Sequence, residues 1–117
     1  MSRRERGHLE AEVMQLLWAN PGGLTSAQLE SAFMDRRRPA RTTLLTVLSR
    51  LEDKDLVERT SAPGGAVFRA TQAQSEHVAS SMTRLLESSA DRNSALTHFV
   101  GSLSEQDLDM LRKLSGP

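Results

Sequence analysis

Arg41-Thr-Thr-Leu44-Leu-Thr-Val47-Leu48-Ser-Arg-Leu51-Glu-Asp-Lys54 is the stretch on which the fold turns. Leu44, Val47, Leu48 and Leu51 stand at i, i+3, i+4 and i+7, which is one face of an α-helix. The spacing predicts a helix over about 41–54. On a wheel turning about 100° per residue, these four fall within roughly 60° of one another. Thr42, Thr46, Ser49 and Asp53 gather on the opposite side, with Thr43 and Arg50 on one flank and Leu45 on the other. One face is apolar and the other short and polar. Short side chains let a helix backbone approach base edges in a DNA major groove. Hydroxyls there meet bases or phosphates, and the Thr methyls and Leu45 can touch thymine methyls. Arg41 stands at the helix start, where a phosphate would also meet free backbone N–H groups. The competing reading is an ordinary solvated face, for which Thr, a weak helix former, is a poor choice.

Leu56-Val-Glu-Arg-Thr60 and Ala66-Val-Phe-Arg-Ala70 are β-prone and flank Ser-Ala-Pro-Gly-Gly65, predicting a hairpin with a five-residue loop. Its tip is either a plain turn or a wing lying along the DNA backbone, with Arg59 and Arg69 as phosphate contacts. Upstream, Leu9, Val13, Leu16 and Leu17 predict a helix over about 9–20, stopped by Asn20-Pro-Gly-Gly. Thr25-Ser-Ala-Gln28 has the form of a capping box, and Leu29, Ala32 and Phe33 predict a second helix over about 26–37, broken by Pro39. Arg36, Arg37 and Arg38 complement the dipole at that helix end, and such a run also attracts a polyanion. Downstream, Thr71-Gln-Ala-Gln74 is read as the cap of a helix continuing through Val78, Met82, Leu85 and Leu86 to about 92. Leu96, Phe99 and Val100 mark a short helix, and Ser104-Glu-Gln-Asp107 opens a last one with Leu108, Leu111 and Leu114.

Three helices, a hairpin and three helices make a mainly α chain with a small β-hairpin: a winged helix-turn-helix over 1–72 and a helical region over 73–117. The second region is too small for its own core, so its apolar stripes are expected to pack on the same segment of a second chain. Leu85, Leu86, Phe99, Leu103, Leu108 and Leu111 are the expected dimer residues.

Composition sets outer bounds. The chain has 117 residues, no Cys, and a formal net charge of zero. The absence of Cys excludes disulfides and thiolate metal sites. The charge is uneven: residues 1–72 carry 11 basic and 9 acidic side chains, and 73–117 carry 4 and 6. No apolar run reaches the roughly 20 residues of a membrane span, and the basic N-terminus leads into an amphipathic segment, so a cytoplasmic protein without membrane insertion is expected. His8, His77 and His98 are far apart and form no i, i+4 pair, so no metal site is expected. Neither a phosphate-binding loop nor a catalytic constellation is present, so neither cofactor nor enzymatic activity is expected. Met14, Met34, Met82 and Met110 at helical positions are core filling or, in the alternative, the lining of a ligand pocket.

Thr43-x-x-Thr46-x-x-x-Arg50-Leu51-x-x-Lys54, then Leu56 and Val67-Phe68, resembles the penicillinase repressor family, which includes the methicillin-resistance repressors. Glu12-Val13-Met14 with Trp18, and Leu96-Thr-His-Phe-Val100 followed by Leu103, Leu108 and Leu111, are similar as well. The resemblance spans Leu9 to Leu114 and implies a homodimer that represses transcription from a palindromic double-stranded operator. It implies that the third helix enters the major groove. Arg41, Thr42, Thr43, Thr46 and Arg50, with Arg69 from the hairpin, are the expected DNA contacts. The resemblance also implies a membrane sensor protease as partner, cutting at an Asn-Phe bond; the matching pair here is His98-Phe99, without the Asn. Family members often carry basic residues where this chain has Thr42 and Leu45, and a Gly where it has Asp55. The copper-responsive branch uses C-terminal Cys ligands, which this chain lacks. Two alternatives stand beside repression: a regulator switched by a directly bound ligand, and a winged helix that contacts only proteins.

Overall fold

The computed structural model describes residues 3–33 and 38–116, so Met34, Arg36 and Arg37 of the sequence reading lie outside the described residues. The elements are α1 (Arg3–Ala19), β1 (Leu24–Thr25), α2 (Ser26–Ala32), α3 (Arg41–Asp53), β2 (Val57–Ala62), β3 (Gly65–Ala70), α4 (Gln74–Glu87), α5 (Arg92–Ser102) and α6 (Glu105–Ser115). The chain is mainly helical, with one small antiparallel sheet ordered β1-β3-β2. It divides into two compact units, Met1–Gln74 and Ser75–Pro117.

In the first unit the helical stripes meet in one core. Leu9, Val13, Met14 and Leu17 of α1 join Leu29 and Phe33, then Leu44, Val47, Leu48 and Leu51 of α3, and finally Val57 and Phe68 from the sheet. Trp18 packs on the edge of this cluster and donates its indole N–H to the Gln72 carbonyl at 3.1 Å. The capping box opens α2 in both directions: Gln28 N–H donates to Thr25 Oγ1 at 3.1 Å, and Thr25 N–H donates to Gln28 Oε1 at 2.9 Å.

Two of the positive-φ positions, Gly23 and Asp55, sit where elements meet. Gly23, at φ 95°, ends the turn after α1, and a Cβ there would lie 2.5 Å from Val67 Cγ1 and 3.0 Å from the Phe68 carbonyl. Only glycine lets β1 come this close to β3. Asp55, at φ 61°, is the one non-glycine residue with positive φ among the described residues. Its N–H donates to Glu52 O at 2.9 Å, and the Leu56 N–H reaches Leu51 O at 2.9 Å. This bond pair is a Schellman closure of α3, and Asp55 occupies its left-handed position.

Five expectations are corrected. The first helix begins at Arg3, not near Leu9. The second ends at Ala32, because Phe33 turns extended (φ −80°, ψ 144°) and buries its ring in the core. The hairpin loop is shorter than five residues: Ser61 and Ala62 continue the ladder opposite Ala66 and Gly65, leaving Pro63-Gly64 as the connection. Proline fixes the φ that a first turn position favours, and Gly65 takes φ 116°. Thr71 does not cap α4; its hydroxyl donates to the Asp55 carbonyl at 2.8 Å. Finally, α4 stops at Glu87, where Ser88 Oγ donates to Leu85 O at 2.7 Å and Asp91 caps a new helix by accepting the Ser94 N–H at 3.0 Å. Short polar side chains here compete for the backbone groups that would continue α4.

Candidate nucleic-acid interface

Helix α3 carries the candidate face. Its four apolar stripe residues are buried. Thr42, Leu45, Thr46, Ser49 and Asp53 are exposed, and Thr43 and Arg50 are half-buried at the margin. Arg41, Thr42, Thr43, Thr46 and Arg50 are thus brought onto one helix. Ala40 occupies the N-cap and supplies no side-chain acceptor, so first-turn N–H groups of α3 lack a side-chain cap.

The Thr46 hydroxyl donates to the Thr42 carbonyl at 3.0 Å. Its proton is committed inside the helix, and its oxygen lone pairs remain available to a donor. Arg50 meets no carboxylate among the described residues.

Other cations are clasped by acids. Arg41 Nε donates to Glu30 Oε2 at 3.2 Å, tying α3 to α2. Arg59 Nη2 donates to Glu52 Oε1 at 2.7 Å, and its guanidinium stands 4.9 Å from the Phe68 ring centroid. Lys54 Nζ donates to Glu10 at 3.1 and 3.3 Å, linking α3's C-cap to α1. The sequence reading did not pick out these three acids as partners. Glu52 and Arg59 are seven positions apart and on different elements, and the other two pairs are 11 and 44 apart, so no helical spacing signals them.

Arg69 is not gathered with the α3 residues. Its Nη2 donates to the Gly22 carbonyl at 3.3 Å, while its Nε is buried with no hydrogen-bond partner.

In the second unit, α4, α5 and α6 bury no residue. Leu85 is 72% exposed, and Phe99 and Leu111 are also exposed; Leu86, Leu103 and Leu108 are half-buried. Met82, Leu85, Leu86, Leu96 and Phe99 line an apolar groove of about 520 Å³ between α4 and α5. Of the four methionines named from sequence, Met14 is core, while Met82 and Met110 face solvent. His98 and Phe99 lie inside α5. Among the described residues, no group of three His, Cys, Asp or Glu is placed to hold a metal ion, and no helix is long and apolar enough to cross a membrane.

A family model described as penicillinase repressor matches residues 6–115. The chain is also similar to the transcriptional regulator BlaI of Mycobacterium tuberculosis, in strains CDC 1551 / Oshkosh and ATCC 25618 / H37Rv. It is 36% identical to each over 110 residues, which cover 92% of this chain and 80% of the relative. With a winged helix-turn-helix core, an outward polar face on α3 and a match along nearly its whole length, the chain belongs to the penicillinase repressor family.

Proposed function

We propose that this protein is a sequence-specific transcriptional repressor that binds a palindromic DNA operator as a homodimer. The observation that carries the reading is α3: buried on one side, short and polar on the other, and third in a helix-turn-helix frame. Thr42, Thr46 and Ser49 lie toward base edges, and Arg41 with the first-turn N–H groups of α3 receives a phosphate. Arg50 and Thr43 contact the backbone at the margin. Arg69, held at Gly22, braces the sheet and adds a phosphate contact only after leaving that carbonyl.

A second copy covers the apolar faces of α4, α5 and α6, which bury nothing within one chain. Leu85, Leu86, Phe99, Leu103, Leu108 and Leu111 form that interface. A membrane sensor protease acting at His98-Phe99 meets a helical bond, so α5 must unwind locally before it is cut. The groove of about 520 Å³ also has the size of a small-molecule site, which favours a ligand-switched regulator as the second reading.

The test is a band-shift titration with DNA from upstream of the protein's own gene and, failing that, genomic fragments, at two salt concentrations. Binding that survives excess random DNA, weakens with salt and places one dimer per site supports repression. Thr46→Ala weakens that binding and leaves the dimer intact; unchanged affinity removes Thr46 from the interface. If no fragment is preferred over random DNA, the protein-contact reading replaces this one. A small molecule that raises the melting temperature by mass action supports the ligand-switched reading.

A further inference from the structure

Among the described residues, every large exposed apolar side chain but one lies between Val78 and Leu114; the exception is Leu45, 39% exposed on α3. A single exposed leucine is ordinary on a protein surface. Its placement is not. Leu45 stands one helical turn from Arg41, Thr42 and Ser49, all exposed, on the outward side of the helix assigned to the major groove. Thr42 and Ser49 are short, so the isobutyl group projects past them. No polar base edge repays the water that this side chain must shed. The major groove offers one apolar feature of matching size, the 5-methyl group of thymine.

We propose that Leu45 is a specificity-determining residue that selects thymine in each operator half-site by contact with its 5-methyl group. The inference rests on the DNA-binding reading above and deepens it. The Thr46 hydroxyl, its proton already given to the Thr42 carbonyl, accepts from an amino group such as adenine N6.

The experiment starts from duplexes that the full-length protein enriches from a randomised pool. In an enriched duplex, each thymidine of one half-site is replaced in turn by deoxyuridine, which keeps every hydrogen-bonding group and removes only the methyl. At one position the wild-type protein is expected to lose about fourfold in affinity, the worth of one buried methyl-sized group. Leu45→Ala, at an exposed site where alanine is a better helix former, is expected to bind the thymidine and deoxyuridine duplexes equally at that position. Wild-type indifference to deoxyuridine at every position overturns the proposal. So does a Leu45→Ala variant that keeps the full methyl dependence, which assigns the contact to a threonine methyl. Failure of the pool to enrich any sequence overturns the DNA-reading assignment itself, and this proposal with it.

Discussion

Asp55 sits at φ 61° in the left-handed position that closes α3. An L-residue there bears a steric penalty of about 1–2 kcal/mol, which Asp lowers and glycine removes. The carboxylate also stands beside the negative end of the helix dipole. Asp55→Gly is expected to raise unfolding stability by up to about 1 kcal/mol, and Asp55→Val to lower it by about as much. Urea midpoints at fixed protein concentration check both; a more stable valine variant would contradict the cap assignment. Gly23 has no comparable latitude. A methyl there would lie 2.5 Å from Val67 Cγ1, closer than two carbons approach, and tight against the Phe68 carbonyl at 3.0 Å, on a backbone at φ 95°. Gly23→Ala is expected to cost about 2 kcal/mol or more by the same titration, while Gly22→Ala, with open space around it, changes far less.

At the scale of elements, the Arg41–Glu30 clasp joins the two helices of the helix-turn-helix. Arg41 is 54% exposed and Glu30 27%, so solvent screening leaves the pair worth well under 1 kcal/mol to folding. In the proposed DNA-binding mode its effect is larger, because Glu30 places a negative charge beside the helix end proposed to receive a phosphate. Glu30→Gln is expected to strengthen operator binding several-fold while shifting the urea midpoint little; an unchanged affinity would place Arg41 away from the DNA. The helices themselves were legible in the sequence because their apolar residues repeat at the helical period. Leu44, Val47, Leu48 and Leu51 declared the buried side of α3 without ambiguity. Strand β1 was not legible. Two residues, Leu24 and Thr25, show no periodicity, and their pairing with Phe68 and Val67 joins segments far apart in the chain. The hairpin length escaped for a related reason: Ser61 and Ala62 have turn-like composition and become strand only through the ladder opposite them. Likewise the hydrogen bond from Arg69 to the Gly22 carbonyl joins residues 47 positions apart, so no local pattern signals it.

For the whole molecule, the second unit poses the sharper energetic problem. Val78, Met82, Leu85, Val100, Met110 and Leu114 all leave large apolar area in water, at about 25 cal/mol per Å². In the proposed homodimer a second copy covers this area, and Leu85→Asp is then expected to convert the dimer to a monomer in sedimentation equilibrium with the core of the first unit still folded. Operator affinity then falls by about 100-fold or more, since two linked half-site contacts become one. A variant that remains dimeric would move the interface off α4. The apolar residues of this region were legible in the sequence. Their assignment to a dimer was a deduction from length, since no periodic pattern distinguishes a stripe facing a partner from one facing its own core.

The carboxylate that clasps Arg41, the proposed phosphate contact, has a thermodynamic consequence. Much of the affinity of a basic protein for DNA comes from the entropy of mobile ions set free. An arginine already neutralised by a tethered glutamate exchanges one fixed anion for another, and the abandoned glutamate then gathers a sodium ion of its own. The plot of log affinity against log salt concentration is therefore expected to be shallower than the number of phosphates touched would suggest. This repressor would hold its site across a wider range of cellular ionic strength than a protein whose cations stand unaccompanied.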